Sequence, residues 1–315
     1  MKILYRTKSK IFLTALCYTI SFVLAQFVFA QDAAQQAKPE IGPRPGFMQI
    51  QLDPRVQKRT YLFKETNEDM QYCLFVSSKV SKDKKNPVII TLHGLGVGPE
   101  IMFNRNALDL ADEGGYILVG PMGYNVRGWY GIPMSQWGAF RGAKPKTANP
   151  PGEAQPDTEA APKPKPSMFY NPDDPPNLNE LSEKDVMNVL DIICKEFNVD
   201  ENRIYLMGHS MGGAGALYLG TKYPDKWAAL GPIAPAAFTL NPDILASIKE
   251  MPVIIVQGDK DNLVPVVNTR RWVDKLIELN MTYEYNEMKG GDHGSVIFAG
   301  LPSVYEFFSK HSKSK

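Results

Sequence analysis

The segment that most constrains the fold is residues 203–213, which read Arg-Ile-Tyr-Leu-Met-Gly-His-Ser-Met-Gly-Gly. An apolar run typical of a strand leads into a G-x-S-x-G pentapeptide, and small residues typical of a closely packed helix follow over 214–223. A serine in such a strand-to-helix turn is held with its hydroxyl above the sheet, and only glycine fits at Gly208 and Gly212 on either side. The amides at the start of the helix favour negative charge at the same point. The pattern therefore predicts that Ser210 is a nucleophile.

A serine nucleophile needs a base, and the chain has four histidines. His93 precedes the serine, His209 lies inside the pentapeptide, and His311 lies in a lysine-rich tail. The fourth, His293, lies among glycines in a loop after a strand-like run. A histidine in such a loop has no apolar face to fill, so a purely structural role is disfavoured. We therefore expect His293 to be the base.

The third member of such a site is an acid that orients the histidine, and two aspartates compete for this role in the loop after the apolar run 252–258. Asp259 directly follows the glycine that ends the run, where a carboxylate more often bonds turn amides. Asp261 lies two residues further along and is the preferred candidate. Asp292 is the sequence neighbour of the histidine, and we expect it to form loop hydrogen bonds instead.

A second glycine-rich loop follows the apolar run 88–92 and reads His93-Gly94-Leu95-Gly96. A loop that leaves a buried strand beside a nucleophile can offer a backbone amide to a negatively charged oxygen. The expected donors of this oxyanion hole are the N–H groups of Leu95 and Met211. His93 is expected to support the loop and not to act as a base.

Together these motifs resemble the α/β-hydrolase superfamily, in particular secreted bacterial esterases of the polyhydroxybutyrate-depolymerase and feruloyl-esterase type, which are grouped with the prolyl-oligopeptidase-like hydrolases. The resemblance covers about residues 59–308 and includes the order Ser, Asp, His along the chain. Three further matching motifs are Tyr223-Pro224-Asp225-Lys226-Trp227, Gly258-Asp259-Lys260-Asp261 and Gly291-Asp292-His293-Gly294. The resemblance implies the fold and the hydrolytic machinery, and it leaves the substrate open.

The alternation of strand-like and helical patterns predicts an α/β fold of the α/β-hydrolase type, with a mostly parallel twisted sheet, helices on both faces and an N-terminal β-hairpin. The expected strands are 59–63 and 70–76 in the hairpin, then 88–92, 116–120, 204–207, 228–233, 253–257 and 282–286. The clearest helix is 180–197, whose apolar stripe consists of Val186, Val189, Leu190, Ile193 and Phe197. These elements define one catalytic domain over residues 48–311.

The first thirty residues have a different composition from the rest of the chain. Residues 1–10 carry four Lys or Arg and no acid, and residues 11–30 are mostly apolar and end in Val28-Phe29-Ala30. We expect residues 1–30 to be a cleaved secretory signal, with an uncleaved membrane anchor formed by residues 11–30 as the alternative. A flexible leader is expected over 31–47. Cleavage would place the protein in the periplasm or outside the cell.

Residues 124–179 do not fit a minimal hydrolase and are predicted to be an insertion. Within it, residues 142–177 hold ten of the 25 prolines of the chain, so this stretch is expected to be a flexible surface excursion. The insertion leaves the sheet at the edge where the site is expected. Trp129 and Tyr130 are therefore predicted to line the substrate cleft, and the alternative is that these aromatic rings only pin the loop onto the domain.

These residues favour a serine hydrolase that cleaves carboxylic esters through Ser210, His293 and Asp261 and an acyl-enzyme intermediate. A serine peptidase of the prolyl-oligopeptidase-like group and an esterase acting on polyester or feruloylated polysaccharide remain alternatives. No cofactor or metal is expected, since the sequence lacks phosphate-loop and dinucleotide motifs and clustered His or Cys ligands. A net charge of +1 argues against a nucleic-acid partner. The expected partner is a small-molecule or polymer ester, and a membrane only if the anchor is retained.

Overall fold

In the computed structural model, residues 51–133 and 171–313 are described. The predicted signal or anchor (1–30), the predicted leader (31–47) and residues 142–170 of the proline-rich stretch lie outside these ranges. Within the two ranges, none of the helices combines the length and the apolar content that crossing a bilayer requires.

One twisted sheet organises the described residues. Its strands are β1 (Gln57–Phe63), β2 (Glu68–Val76), β3 (Asn86–Leu92), β4 (Ile117–Pro121), β5 (Val199–His209), β6 (Ala229–Ile233), β7 (Val253–Gly258) and β8 (Tyr283–Met288). Their spatial order is β1-β2-β4-β3-β5-β6-β7-β8. The β1–β2 and β2–β4 pairs are antiparallel, and every pair from β4 to β8 is parallel. The predicted α/β fold with an N-terminal hairpin is confirmed.

Helices cover both faces of this sheet. They are α1 (Arg105–Gly114), α2 (Leu178–Glu196), α3 (Met211–Lys222), α4 (Val266–Glu278), α5 (Ser295–Ala299) and α6 (Leu301–Lys310). Successive strand residues point to opposite faces, so Ile90 packs into a core shared with α2, α3 and α4. Its neighbour Ile89 packs into a second core shared with α1, α5 and α6. Burial on both faces explains why the central strands are continuously apolar instead of alternating.

The carboxyl ends of the parallel strands meet at one edge of the sheet. β3 ends at Leu92, β5 at His209, β7 at Gly258 and β8 at Met288. The loops that follow these strands carry the residues singled out from the sequence: His93 to Gly96, Ser210, Asp261 and His293. The topology thus gathers segments that are far apart along the chain.

Helix α2 has a polar side that its apolar stripe does not reveal. Besides the predicted Val186, Val189, Leu190 and Ile193, the helix buries three polar side chains: Ser182, Glu183 and Asp185. Buried polar groups are retained only where hydrogen bonds satisfy them. Ser182 and Asp185 accept hydrogen bonds from backbone amides of the loop after β4, whereas Glu183 accepts from Lys222 and Tyr223 at the end of α3.

The two described ends of the predicted insertion at 124–179 are continuous with the rest of the domain, and residues 142–170 of the expected surface excursion lie outside the described ranges. The α2 helix begins inside the predicted insertion, at Leu178. Trp129, Tyr130 and Ile132 are 4%, 0% and 2% exposed and belong to the core on the α2 and α3 side of the sheet. These large apolar side chains fill the space between the two helices, so residues 129–132 are an integral part of the domain.

Candidate active site

Ser210 lies in a strained turn between β5 and α3. Its φ of 57° is in the left-handed region that side chains other than glycine rarely adopt. A Cβ atom at Gly208 would overlap the backbone of Gly212, and one at Gly212 would overlap the carbonyl oxygen of Leu92. The Ser210 N–H donates to the carbonyl oxygen of Ile233 (2.9 Å), which ties the turn to β6. Glycine is therefore required on both sides of Ser210, as the sequence predicted.

Asp261 and His293 form a hydrogen-bonded pair. Asp261 Oδ2 lies 2.7 Å from His293 Nδ1, and the side chains are 0% and 17% exposed. The other carboxylate oxygen accepts from the N–H groups of Leu263 (2.9 Å) and Val264 (2.8 Å). Burial alone would raise the pKa of Asp261, but these hydrogen bonds lower it below its ordinary value. The ionised carboxylate favours the tautomer with a proton on Nδ1, which leaves Nε2 free to accept one.

The other two aspartates of these loops bond backbone amides. Asp259 Oδ1 accepts from the N–H of Gly290 (2.6 Å), so it joins the loop after β7 to the loop after β8. Asp292 accepts from the N–H groups of Gly294 (3.1 Å) and Ser295 (2.8 Å), at the start of α5. These are the roles expected for them from the sequence.

Ser210 and His293 are connected through His209, the residue that directly precedes Ser210. The Nε2 atom of His209 lies 2.8 Å from the carbonyl oxygen of His293. Among the described residues no hydrogen bond joins the Ser210 hydroxyl directly to the His293 ring, a contact that in many enzymes forms only with substrate bound. The position of His209 beside the nucleophile was the one available signal for such a role.

The glycine-rich loop after β3 passes over the serine turn. A Cβ atom at Gly94 would lie 3.5 Å from Ser210 Cβ, which shows how closely the loop approaches. Met211 is the first residue of α3, so its N–H belongs to the helix start beside the serine. Leu95 follows Gly94 in this loop, and the role of the Leu95 and Met211 amides as oxyanion donors stays a prediction.

His93 supports that loop from within the protein. It is 0% exposed, with Nδ1 2.8 Å from the carbonyl oxygen of Gly94 and Nε2 2.8 Å from that of Met122. Burial lowers its pKa below the ordinary histidine value, and the tautomer of the neutral ring decides which of the two nitrogens donates to its carbonyl oxygen. These contacts fit the supporting role expected for His93.

The prediction that Trp129 and Tyr130 line the substrate cleft is wrong for the side chains in this structure. Both are buried, at 4% and 0% exposed. The Tyr130 ring would collide with a Cβ atom at Gly215 of α3, and its hydroxyl donates to the carbonyl oxygen of His93 (3.1 Å). The alternative reading, in which the rings pin the loop, agrees with these contacts. Sequence alone cannot tell a cleft aromatic from a core aromatic, since both are large and apolar.

The described residues contain no group of three or more His, Cys, Asp or Glu side chains placed to hold a metal ion. Cys73 and Cys194 are both free thiols.

Comparison with known proteins agrees with the fold. Residues 172–312 match the model of the phospholipase/carboxylesterase family, and this stretch includes Ser210, Asp261 and His293. Cutinase 2 of Thermobifida cellulosilytica is 33% identical over 95 residues, which are 30% of this chain and 34% of that protein. A bifunctional acetylxylan esterase/xylanase of Neocallimastix patriciarum is 25% identical over 182 residues, 56% of this chain and 20% of that protein. The chain thus spans about a third or less of the length of these relatives.

Solved structures resemble the chain over most of its length. The CE1 ferulic acid esterase of Anaeromyces mucronatus superposes with a TM-score of 0.56 at 21% identity, covering 85% of this chain and 93% of that one. An S-formylglutathione hydrolase from Agrobacterium tumefaciens superposes with a TM-score of 0.57 at 14% identity, covering 82% and 95%. At these identities the likeness concerns the fold. The chain therefore has an α/β-hydrolase fold, and its residues 172–312 match the phospholipase/carboxylesterase family model.

Proposed function

We propose that this protein is a serine hydrolase that cleaves carboxylic esters. The observation that carries the proposal is the Asp261–His293 hydrogen bond of 2.7 Å at the sheet edge where Ser210 occupies a strained strand-to-helix turn. A buried carboxylate bonded to the Nδ1 atom of a histidine is the pair that activates a serine hydroxyl in acyl transfer. The match of residues 172–312 to a phospholipase/carboxylesterase family supports an ester as the substrate.

In the proposed first step, the Ser210 hydroxyl attacks the ester carbonyl carbon while Nε2 of His293 takes its proton. The carbonyl π electrons move to oxygen, and the Leu95 and Met211 amides donate hydrogen bonds to that oxyanion. Asp261 stabilises the imidazolium formed on His293. The tetrahedral intermediate collapses, the alcohol leaves with the proton returned from Nε2, and Ser210 remains acylated.

In the second step, water attacks the acyl-enzyme as His293 takes a proton from it. The same two amides bind the second oxyanion, and collapse releases the carboxylic acid and regenerates the Ser210 hydroxyl. The chain needs no added redox or metal group for either step, because each proton moves between Ser210, water, the leaving alcohol and His293.

An esterase that acts on polymers is the second candidate. It is favoured by the named relatives, which include cutinases and, by fold, a ferulic acid esterase. Export of the protein through the segment at 1–30 would suit such a substrate, and N-terminal sequencing of the mature protein would test that part separately. A new N-terminus at residue 31 is expected for signal cleavage, whereas a retained residue 1 would support the anchor.

A substrate panel tests both candidates. Rates are measured with p-nitrophenyl acetate, butyrate and octanoate, with a feruloyl ester, with cutin and with aminoacyl anilides as peptide analogues. Ser210→Ala serves as the control, and a fluorophosphonate probe reports the reactive serine. We expect the wild type to hydrolyse at least one soluble ester. In Ser210→Ala, both this hydrolysis and the labelling by the fluorophosphonate should be lost. Preference for the anilides would indicate a peptidase, and full activity in Ser210→Ala would refute the mechanism.

A further inference from the structure

The loop after β4, residues 122–131, has a strained backbone. It lies next to the oxyanion loop, the glycine-rich segment His93 to Gly96 that follows β3. Tyr124, Trp129 and Tyr130 have φ values of 61°, 53° and 50°. Bulky L-residues avoid this left-handed region, and several in one short loop persist only where the surroundings impose the conformation. The groups that hold the loop are therefore of functional interest.

Two buried side chains of α2 hold it. Asp185 Oδ2 accepts hydrogen bonds from the N–H groups of Gly123 (2.6 Å) and Tyr124 (3.2 Å). One turn earlier, Ser182 Oγ accepts from the N–H of Tyr130 (3.1 Å). Asp185 and Ser182 are both 0% exposed. Because water cannot replace a buried acceptor, loss of the Asp185 carboxylate would leave two loop amides without a partner.

The 122–131 loop is hydrogen-bonded to the oxyanion loop on both sides of Leu95. Two hydrogen bonds join the two loops, from the Tyr130 hydroxyl to the His93 carbonyl oxygen (3.1 Å) and from the Gly96 N–H to the Val126 carbonyl oxygen (2.9 Å). In addition, His93 Nε2 lies 2.8 Å from the Met122 carbonyl oxygen. A shift of the 122–131 loop therefore moves Leu95. Transition-state stabilisation by an amide falls steeply when its position changes by a fraction of an ångström.

We propose that Asp185 is a positioning residue for ester hydrolysis, which fixes the 122–131 loop and through it the amide of Leu95 in the oxyanion hole. The inference rests on the proposed function. Asp185 contacts neither the nucleophile nor the base, and it acts only through the loop.

The ionised form of Asp185 is the one suited to this role. Three donors converge on its two oxygens: the amides of Gly123 and Tyr124 and, from β1, the hydroxyl of Tyr61. The other titratable groups that face it are Glu65, at the turn after β1, and Tyr130. Burial raises the pKa of Asp185 to about 6, and the negative charge of Glu65 acts in the same direction. Protonation would place a further hydrogen among these donors and weaken the hold on the loop.

The test compares Asp185→Ala, Asp185→Asn and Tyr61→Phe at pH 8, with kcat expressed per serine labelled by the fluorophosphonate so that only folded enzyme counts. Asp185→Ala is expected to lower kcat by about tenfold or more, with KM changed less than about twofold. Asp185→Asn keeps one oxygen for the two amides but places an NH2 group among the donors, as protonation does, and is expected to lower kcat by less than Asp185→Ala. Tyr61→Phe is the matched control, since it removes only the bond to β1, and it should leave kcat nearly unchanged.

The acid limb of the pH profile gives a readout that a merely structural role would not move. Below about pH 6, log kcat/KM should fall more steeply in the wild type than in Asp185→Asn, because only the wild type has a carboxylate at position 185 to take up a proton. An identical slope in the two enzymes would overturn the proposal, as would an unchanged kcat in Asp185→Ala or an equal loss in Tyr61→Phe.

If Asp185→Ala yields no folded enzyme, Tyr130→Phe carries the test, because it removes only the hydroxyl that bonds His93. A loss in kcat of about fivefold with KM retained is expected for one hydrogen bond, and no loss would overturn the proposal. Ser210→Ala distinguishes failure of the proposed function from failure of the positioning role of Asp185. If it retains activity, the proposed function fails. If it is inactive while the Asp185 variants behave like wild type, only the positioning role fails.

Discussion

The Nε2 atom of His209 lies 2.8 Å from the backbone carbonyl oxygen of His293, and the centroids of the two rings are 4.5 Å apart. His209 directly precedes Ser210, so this hydrogen bond joins the turn of the proposed nucleophile to the loop of the proposed base. Burial, followed by the charge that His293 would carry, lowers the pKa of His209 to about 3. His209 therefore stays neutral at working pH and donates its Nε2 proton.

His209→Phe is expected to lower kcat by about tenfold with little change in KM, because the ring is kept but the loop of His293 loses its anchor. His311→Phe is the matched control: it also removes a histidine bonded to a backbone carbonyl, that of Phe307 (2.8 Å), at the end of the chain. Kinetics with a p-nitrophenyl ester measure both variants. Equal kcat values in wild type and His209→Phe would rule out the positioning role.

Asp261→Asn is expected to keep the fold and lower kcat by about 10⁴-fold, because the amide favours the wrong tautomer of His293. Asp259→Asn should cost at most a few-fold, since its side-chain oxygen can still accept from the N–H of Gly290. The same ester assay and a thermal melt compare the two variants. A larger loss of kcat in Asp259→Asn would exclude Asp261 as the orienting acid.

Stability should depend on pH through His209. As pH falls from the ordinary histidine value of 6.5 towards about 3, the unfolded chain binds a proton at His209 that the folded chain does not. The free energy of unfolding therefore decreases with falling pH, by at most about 1.4 kcal/mol per pH unit from this one group. His209→Phe lacks the contribution. Urea unfolding between about pH 7 and about pH 4 should thus show the stability of wild type, relative to the variant, declining as the acidity increases.

Parallel stability curves for wild type and His209→Phe would mean that His209 takes up its proton in the folded state. Asp185 contributes with the opposite sign, since its raised pKa favours proton uptake by the folded chain between the ordinary value of 3.8 and about 6. The comparison with the variant cancels this term, because Asp185 is present in both proteins.

We expect the proline-rich stretch to be removable as far as residue 170, but not as far as Asp174. Asp174 accepts two hydrogen bonds from Arg127 (2.8 and 2.7 Å) and one from Asn125 (3.0 Å), and the ion pair is largely buried. A Gly/Ser linker in place of residues 142–170 should change the melting temperature little. Replacement of 142–177 also removes Asp174 and should lower it by several degrees, since Arg127 is left unpaired. Calorimetry of the two proteins measures the difference, and equal melting temperatures would show that the ion pair contributes nothing.

Much of the fold follows from local patterns. The strands from β3 to β7 are short apolar runs bounded by turn residues, and such runs are recognisable because burial on both faces leaves no room for polar side chains. The ends of these strands differ from those predicted by up to five residues, as for β5, which begins at Val199 instead of residue 204. Hydrogen bonds to β3 extend β5 past its apolar part, and no composition signal marks them.

The polar side of α2 escaped prediction for a different reason. Ser182 and Asp185 look like solvent-facing residues of an amphipathic helix, because burial of a polar group depends on a partner from another segment. Their partners lie some 50 to 60 residues earlier in the chain, in the loop at Gly123 to Tyr130. The burial of Trp129 and Tyr130 escaped prediction likewise, since it is set by the packing of that loop between α2 and α3.

The sequence by itself determined the glycines around Ser210, the order of the three proposed catalytic residues and the preference for Asp261 over Asp259, because each depends on a few adjacent residues and on the turn they can form. Only the tertiary structure decided that Asp261 and His293 meet at 2.7 Å, that His209 ties the base loop to the serine turn, and that Asp185 holds the loop beside Leu95. These contacts join segments from different strands and helices. They arise where the sheet brings the strand ends together, and no short stretch of sequence encodes that distance.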